Sequence, residues 1–116
     1  MNTKVRGDRG ELLAVEFLGE AGFRILERNY RFGRGEIDIV AEEAGELVFV
    51  EVKARNSLQF GEPEESVGGA KEQHLRRAAE GYCMERAVTD RFYRFDIVAI
   101  RFGEGLIVVK HLRNAF

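Results

Sequence analysis

The chain is poor in cysteine, proline and tryptophan, and it has no long apolar run. Its single cysteine, Cys83, excludes an internal disulfide, and no cluster of cysteine and histidine indicates zinc. No stretch approaches the roughly 18 apolar residues needed to cross a bilayer, and the first residues lack the apolar core of a signal peptide. These absences predict a cytoplasmic protein that does not enter the membrane.

Lysine is also scarce, since only four of the 18 basic residues are lysines and the other 14 are arginines. Arginine suits bidentate contacts with phosphate. The net charge of −2, however, is not typical of a nucleic-acid-binding protein. From composition alone, surface ion pairs are the favoured interpretation of the arginines. With 116 residues, 45% of them hydrophobic, the chain is expected to form one globular domain over 1–116.

The most informative segment is a hairpin pattern centred on Ala44-Gly45. Residues 35–43 and 46–54 both alternate between polar and apolar side chains, as half-buried strands do. A two-residue loop at Ala44-Gly45 pairs position i with position 89 − i, which sets Asp38 opposite Glu51. The pattern predicts a polar face, comprising Glu36, Asp38, Glu51 and Lys53, and an apolar face, comprising Ile37, Ile39, Val48, Val50 and Val52.

The opposed carboxylates on the polar face need a physical explanation. Directly opposed side chains have Cβ atoms roughly 4.5–5.5 Å apart. Two carboxylates at that separation repel by about 3 kcal/mol at an effective dielectric near 20. Asp38 and Glu51 therefore require a cation between them, a shared proton or an open solvated face. The pattern is typical of half a metal site.

The remaining segments predict an α/β fold with a mixed five-stranded sheet and flanking helices, in the order α-β-β-β-α-β-β. The second helix is expected to be the crossover between strands three and four. The predicted segments outside the hairpin are a helix from Gly7-Asp8 to Gly22 with Asp8 as N-cap, a strand over Phe23–Tyr30, a basic turn over Arg31–Arg34, a loop over Arg55–Gly69 containing Pro63, a helix over Ala70–Arg86, and strands over Arg91–Phe102 and Leu106–Leu112.

Carboxylates on neighbouring strands can hold Mg²⁺, whose octahedral shell keeps several waters and accepts phosphate oxygens. Such an ion polarises a phosphate and lowers the pKa of a bound water. Lys53 follows Glu51 by two residues, so it lies on the same face and near that water or phosphate. The main-chain carbonyl of Val52 is a candidate for one more ligand.

Asp38 followed by Glu51-Val-Lys53 resembles the PD-(D/E)-x-K signature of the restriction-endonuclease-like nucleases, with Ile37 in place of the proline. More narrowly, the whole chain resembles the YraN family, small bacterial proteins similar to archaeal Holliday junction resolvases. The residues that carry this resemblance are Gly7, Gly10-Glu11, Ala14, Phe17-Leu18, Arg28-Asn29-Tyr30-Arg31, Gly35–Ala41, Phe49–Arg55, Lys71, Arg94-Phe95-Asp96 and His111–Phe116.

The resemblance implies a restriction-endonuclease-like fold, metal ligation by Asp38 and Glu51, and Lys53 as the catalytic lysine. It also implies a catalytic glutamate from the first helix, a role that falls on Glu11. The implied activity is a Mg²⁺- or Mn²⁺-dependent endonuclease acting on branched, structured or damaged DNA. A resolvase-type reaction cuts two symmetric strands, which predicts a homodimer. The alternatives are a nucleic-acid-binding protein of the same fold that cuts nothing and a protein-interaction domain.

Four basic residues are candidates for contacts with DNA phosphates. Arg55 follows the lysine, Lys71 lies near the start of the second helix, and Arg31 and Arg34 flank the first turn beside Tyr30 and Phe32. Solvated surface positions are the alternative for all four.

Several other residues have a structural interpretation beside the functional one. Glu11 in a first helical turn would favour the helix dipole, and Glu36 would pair with Lys53 across the hairpin. Asp96, in an apolar strand, is expected to support the fold through hydrogen bonds. His74 and His111 have no spaced partner in sequence, and Cys83 lies on an apolar helical face and is expected in the core.

Overall fold

The computed structural model describes residues 3–56 and 67–116, with side chains from residue 7 onward. The elements are α1 (Thr3–Glu20), β1 (Arg24–Phe32), β2 (Gly35–Glu43), β3 (Glu46–Asn56), α2 (Gly69–Glu85), β4 (Tyr93–Gly103) and β5 (Leu106–Leu112). This is the predicted order. No helix in these ranges is long and apolar enough to span a bilayer.

The five strands form one mixed sheet in the order β1-β2-β3-β4-β5. All neighbours are antiparallel except β3 and β4, which run parallel from Leu47–Tyr93 to Asn56–Phe102. A parallel pair needs a crossover connection, and the chain between β3 and β4 contains α2. The predicted α/β class, the mixed sheet and the crossover helix are confirmed.

Two apolar clusters fill the two faces of the sheet. One cluster contains Leu75, Ala78, Ala79 and Tyr82 of α2, and it packs against strand residues that include Phe49 and Phe95. The other contains Ala14 and Leu18 of α1, and it packs against strand residues that include Val48, Val50, Val98 and Ile100. The central strands are therefore covered by a helix on each side.

The hairpin of β2 and β3 has the predicted loop and register. Ala44 and Gly45 have positive φ values of 52° and 81°, as a two-residue type I′ turn requires. The ladder runs from Glu43–Glu46 to Ile39–Val50, and each pair sums to 89 as predicted.

The predicted apolar face of this hairpin is wrong at one position. Ile37 packs in the α2 cluster, whereas Ile39, two residues later, packs in the α1 cluster. Regular alternation would place both on one face. In the neighbouring strand, Arg28 pairs with Ile39 and Tyr30 pairs with Ile37. Asn29, which lies between these two β1 residues, has a positive φ of 55°. The alternation therefore breaks at Asp38.

Helix α1 begins at Thr3, so the prediction that Asp8 caps it is wrong, and Asp8 lies within the helix. The helix continues through Gly7 and Gly10, since one glycine costs only about 1 kcal/mol relative to alanine. Gly10 is needed for packing, because a Cβ there would lie 2.8 Å from the Cβ of Ala54. Close contact with β3 thus extends the helix beyond what local signals indicate.

The ends of β1 and β3 also differ from prediction. Strand β1 continues to Phe32, so the first turn contains only Gly33 and Arg34. Strand β3 continues to Asn56, because Arg55 and Asn56 remain in register with Arg101 and Phe102 of β4. The part of the predicted loop over 57–66, including Pro63, lies outside the described residues.

Candidate active site

The candidate site lies where β2 and β3 separate. Their ladder ends at Ile39–Val50, one position before Asp38 and Glu51. Beyond that point, Asp38 Oδ2 accepts a 2.8 Å hydrogen bond from the main-chain N–H of Val52. A side chain of β2 thus satisfies an amide of β3 that the ladder leaves unpaired. The separation directs the Asp38 carboxyl group toward Glu51.

The Asp38 and Glu51 carboxyl groups interact directly. Burial, a hydrogen bond with Glu51 and the charge of Glu51 together raise the pKa of Asp38 far above its ordinary range. The Val52 N–H opposes this shift, and the charge of Glu11 adds to it. Glu51 is only 5% exposed, so water screens the pair poorly. Two bare carboxylates are therefore unfavourable here without a cation or a shared proton.

One cation already contacts the pair. The ammonium group of Lys71, in the first turn of α2, forms an ion pair with Glu51 Oε2. Apart from this ion pair, the same buried oxygen has no hydrogen-bond partner among the described residues. The Lys71 side chain is 57% exposed, so it is free to move away if another cation arrives. Lys71 was predicted as a phosphate contact, and the structure adds Glu51 as its partner.

The two carboxylates open into a cavity of about 300 Å³. Its lining includes Asp38, Glu51, Glu36, Lys71, His74 and Arg34. Within residues 3–56 and 67–116, no group of three or more metal-binding side chains is present. Two carboxylates, one with a buried oxygen whose only partner among the described residues is the Lys71 ammonium, fit Mg²⁺, which is commonly held by one or two carboxylates, with waters and phosphate oxygens filling its shell.

Lys53 lies two residues beyond Glu51 in β3 and is half-buried, in register with Ala99 of β4. The α2 cluster contains Phe49 and Leu47, so alternation along the strand places Glu51 and Lys53 on the same side. The predicted pairing of Lys53 with Glu36 is not part of the β2–β3 ladder. Glu36 forms an ion pair with Arg31 of β1 at 2.9 Å.

Glu11 lies on α1, near enough for its charge to act on Asp38. Its Oε1 atom accepts hydrogen bonds from Arg28 Nη2 at 2.8 Å and Asn29 Nδ2 at 3.0 Å. Since α1 begins at Thr3, Glu11 is in the middle of the helix, and the alternative based on the helix dipole is wrong. Glu11 adds negative charge beside the carboxylate pair while β1 holds its side chain.

The predicted basic contacts do not form one cluster. Arg34, in the turn before β2, lines the cavity. Arg55 lies in β3, and its Nη1 donates to the carbonyl of Ala54 at 3.1 Å. Arg31 is in β1 and pairs with Glu36. Tyr30, predicted beside the basic turn, is a core residue only 5% exposed.

Two residues at or next to the carboxylate cavity were missed by the sequence analysis. His74 was assigned no role, yet it lines the carboxylate cavity and a second cavity next to it. Arg77 lines the second cavity together with Arg34. The available signal was the spacing of Lys71, His74 and Arg77, three residues apart, which places them along one side of α2.

Asp96, His111 and Cys83 make contacts that support the fold. Asp96 is fully buried and accepts from Arg94 Nε at 2.9 Å and Asn114 N at 2.9 Å, and its Oδ2 lies 2.8 Å from His111 Nε2. The hydrogen bonding expected of Asp96 is confirmed, and it gives His111 a partner. Cys83 is half-buried against the α2 cluster, and burial raises the pKa of its thiol.

Sequence comparison places close relatives across bacteria. The chain is 42% identical to a UPF0102 protein of Caldicellulosiruptor saccharolyticus over the full length of both chains. It is 50% identical to one from Moorella thermoacetica, over 86% of this chain and 83% of that protein. A UPF0102 protein of Clostridioides difficile is 41% identical over the full length of both.

Among solved structures, the chain is similar to SfsA of Pyrococcus furiosus in complex with Ca²⁺, with a TM-score of 0.41 and 16% identity. That similarity covers 97% of this chain and 64% of SfsA. The model of uncharacterised protein family UPF0102 matches residues 10–100, which include both strands of the carboxylate pair and all of α2. The chain therefore belongs to family UPF0102, the YraN family that its motifs resemble.

Proposed function

We propose that this protein is a metal-dependent nuclease that hydrolyses phosphodiester bonds in structured or damaged DNA. The observation that carries the proposal is the pair of Asp38 and Glu51, whose carboxyl groups meet beside a cavity where the strands separate. The restriction-endonuclease-like core has the order α-β-β-β-α-β, which is also the order of this chain up to β4. The resemblance of Asp38 and Glu51-Val-Lys53 to the PD-(D/E)-x-K signature also supports a nuclease.

In this proposal, Asp38 and Glu51 hold one Mg²⁺ or Mn²⁺ ion. The ion supplies charge stabilisation on the phosphate and a bound water of lowered pKa. Because the Val52 amide holds Asp38 Oδ2, the ligand orientation is fixed before any ion arrives. Glu51 Oε2, which lacks a hydrogen bond within the described residues, is the natural second ligand atom.

Lys53 and Glu11 support the chemistry from two sides. Lys53, on the same side of β3 as Glu51, would contact the attacking water or a phosphate oxygen. Glu11, held by Arg28 and Asn29, adds negative charge that strengthens cation binding. Lys71 would pass from Glu51 to a substrate phosphate when the ion binds, and Arg34 and Arg55 would make further phosphate contacts.

A second candidate function is nucleic-acid binding without cleavage, in a protein of the same fold. One observation favours it: the Lys71 ammonium already neutralises Glu51. A protein that had lost the metal would need such a cation to keep two buried carboxylates together. Lys71→Ala separates the candidates, because it should improve Mn²⁺ binding in the nuclease and only destabilise the binder.

The test is a panel of plain, nicked, flapped and four-way-branched DNA incubated with Mg²⁺ or Mn²⁺. Wild-type protein is compared with Asp38→Ala and with Arg24→Ala, which removes an exposed arginine at the other end of β1. If the protein is a nuclease, wild type should cleave DNA only with the metal. Asp38→Ala should abolish this cleavage, and the Arg24→Ala protein should retain it. If the protein binds DNA in a salt-sensitive way but leaves every DNA of the panel intact, the nuclease proposal is wrong and nucleic-acid binding without cleavage takes its place. A protein that cuts two strands at symmetric positions is expected to act as a homodimer. Light scattering tests this by measuring the mass of the protein in solution.

A further inference from the structure

A second cavity adjoins the carboxylate site. It has a volume of about 250 Å³ and is lined by Phe32, Gly33, Arg34, Gly35, His74 and Arg77. Three of these residues, Arg34, Gly35 and His74, also line the carboxylate cavity. The two cavities therefore share a wall, and one extended ligand can occupy both.

The charges of the second cavity are unusual for this protein. Arg34 and Arg77 are exposed, and neither has an ion pair or side-chain hydrogen bond within residues 3–56 and 67–116. Most other arginines in those ranges contact a carboxylate, as Arg28 contacts Glu11 and Arg94 contacts Asp96. Two unpaired guanidinium groups at one cavity repel each other, and an anion between them would remove that repulsion.

The backbone elements that carry these arginines pack closely against each other. A Cβ at Gly35 would lie 2.3 Å from the main-chain oxygen of His74, so the turn before β2 sits directly on α2. At the next contact along α2, a Cβ at Gly81 would lie 2.4 Å from the Phe32 ring. Arg34 and the helix residues His74 and Arg77 thus lie on elements that pack closely, backbone against backbone at Gly35 and through the Phe32 ring at Gly81.

We infer that this second cavity is a phosphate subsite, formed by Arg34 and Arg77 with His74 on the shared wall. It would take a phosphodiester group of the same nucleic-acid strand whose reacting phosphate lies at Asp38 and Glu51. This inference rests on the proposed function. Planar guanidinium groups match phosphate oxygens in bidentate geometry. In a chain of net charge −2, two local cations also offset the repulsion between acidic residues and a polyanion.

The experiment measures binding of a fluorescein-labelled single-stranded 20-mer and of a branched DNA by anisotropy. It is run in EDTA, where metal-dependent cleavage is absent, and repeated with Ca²⁺. The variants are Arg77→Gln, the double variant Arg34→Gln/Arg77→Gln, and Arg24→Gln as a control that removes the same charge far from the cavity. Thermal melting verifies that each variant is folded, and Arg34→Lys/Arg77→Lys tests rescue by retained charge.

The double variant should bind at least about tenfold more weakly near 0.1 M salt. Its slope of log affinity against log salt should fall by about 0.7–0.9, which corresponds to the one phosphate that the two arginines would hold. The Arg24→Gln control should match wild type within about twofold, and the lysine variant should recover part of the loss. In cleavage assays the double variant should raise KM and leave kcat largely unchanged, as expected for residues that position the strand.

Three results would overturn the subsite, and they differ in what they say of the proposed function. If the double variant binds like wild type with the same salt slope, the subsite is wrong while the nuclease proposal stands on the Asp38 test. If wild-type protein neither binds nor cleaves any DNA of the panel, both proposals are wrong. If Arg24→Gln and Arg77→Gln weaken DNA binding equally, the loss of affinity comes from the change in net charge alone. That result would also overturn the subsite.

Discussion

The main-chain N–H of Val52 donates a 2.8 Å hydrogen bond to Asp38 Oδ2, one position past the end of the β2–β3 ladder. This bond links the separation of two strands to the orientation of a carboxylate. The amide satisfies one Asp38 oxygen and leaves the other able to face Glu51 and an incoming cation.

Replacing Asp38 by Asn should stabilise the metal-free protein at neutral pH. Burial and Glu51 raise the pKa of Asp38, so its ionised form is disfavoured in the fold. For an acid with a raised pKa, this penalty grows as pH rises above the ordinary value. Asn keeps an oxygen acceptor for the Val52 amide and has no charge. We expect about 1–3 kcal/mol of added stability at pH 7, measured by urea denaturation in EDTA.

The same pair of proteins tests metal binding. Mn²⁺ binding to the native state should raise the Tm of wild type by mass action and leave Asp38→Asn unchanged. Glu16→Gln, on α1, is the control for a lost surface carboxylate. Equal Mn²⁺ effects on wild type and Asp38→Asn would contradict ligation by Asp38.

Replacing Lys53 by Met should reduce cleavage while DNA binding persists. Met keeps an apolar stem of similar length and removes the ammonium group, so β3 retains its packing. Loss of a group that assists proton transfer or holds the attacking water should reduce kcat by about 10²–10⁴-fold. The measurement is single-turnover cleavage with Mn²⁺, with Lys110→Met in β5 as the matched control. A change in affinity alone would instead make Lys53 a phosphate contact.

How far the sequence predicts this molecule depends on the range of each interaction. The hairpin register was predictable, because Gly45 favours a tight turn and the alternation on both arms is local. The break at Asp38 was not, because it depends on a bond to Val52 beyond the end of the ladder. The docking of α2 was hidden for a similar reason, since Gly35 and Gly81 mark close packing only once their partners are known.

Acid should destabilise the protein through the carboxylate of Glu43, at the end of β2 away from the candidate site. Arg113 and Arg94 lower the pKa of Glu43 to about 2, despite partial burial. A carboxylate with a lowered pKa stabilises the fold above its ordinary pKa, and that contribution is lost as pH falls from about 4.5 toward about 2. Solvent screening limits the loss to about 1–2 kcal/mol. Urea titrations at pH 6, 4 and 3 should show it, and Glu43→Gln should show a smaller fall over that range.

Replacing Gly35 by Ala should disrupt both the fold and the site. The new Cβ would lie 2.3 Å from the main-chain oxygen of His74 and 3.1 Å from the Cβ of Ala78, so β2 and α2 must move apart. Neither contact involves a flexible side-chain end that could turn away. We expect a loss of about 1–3 kcal/mol, the usual cost of overpacking, measured by urea denaturation.

Gly19→Ala is the matched control for that substitution. Gly19 lies in α1, and a Cβ there meets nothing within 4 Å. Alanine should therefore stabilise the helix by about 0.5–1 kcal/mol through its higher propensity. Because Lys71 and His74 reach the cavity from α2, Gly35→Ala should also weaken DNA binding, whereas Gly19→Ala should leave it unchanged. A Gly35→Ala protein as stable and as competent in binding as Gly19→Ala would show that α2 does not need this close contact to hold its residues at the cavity.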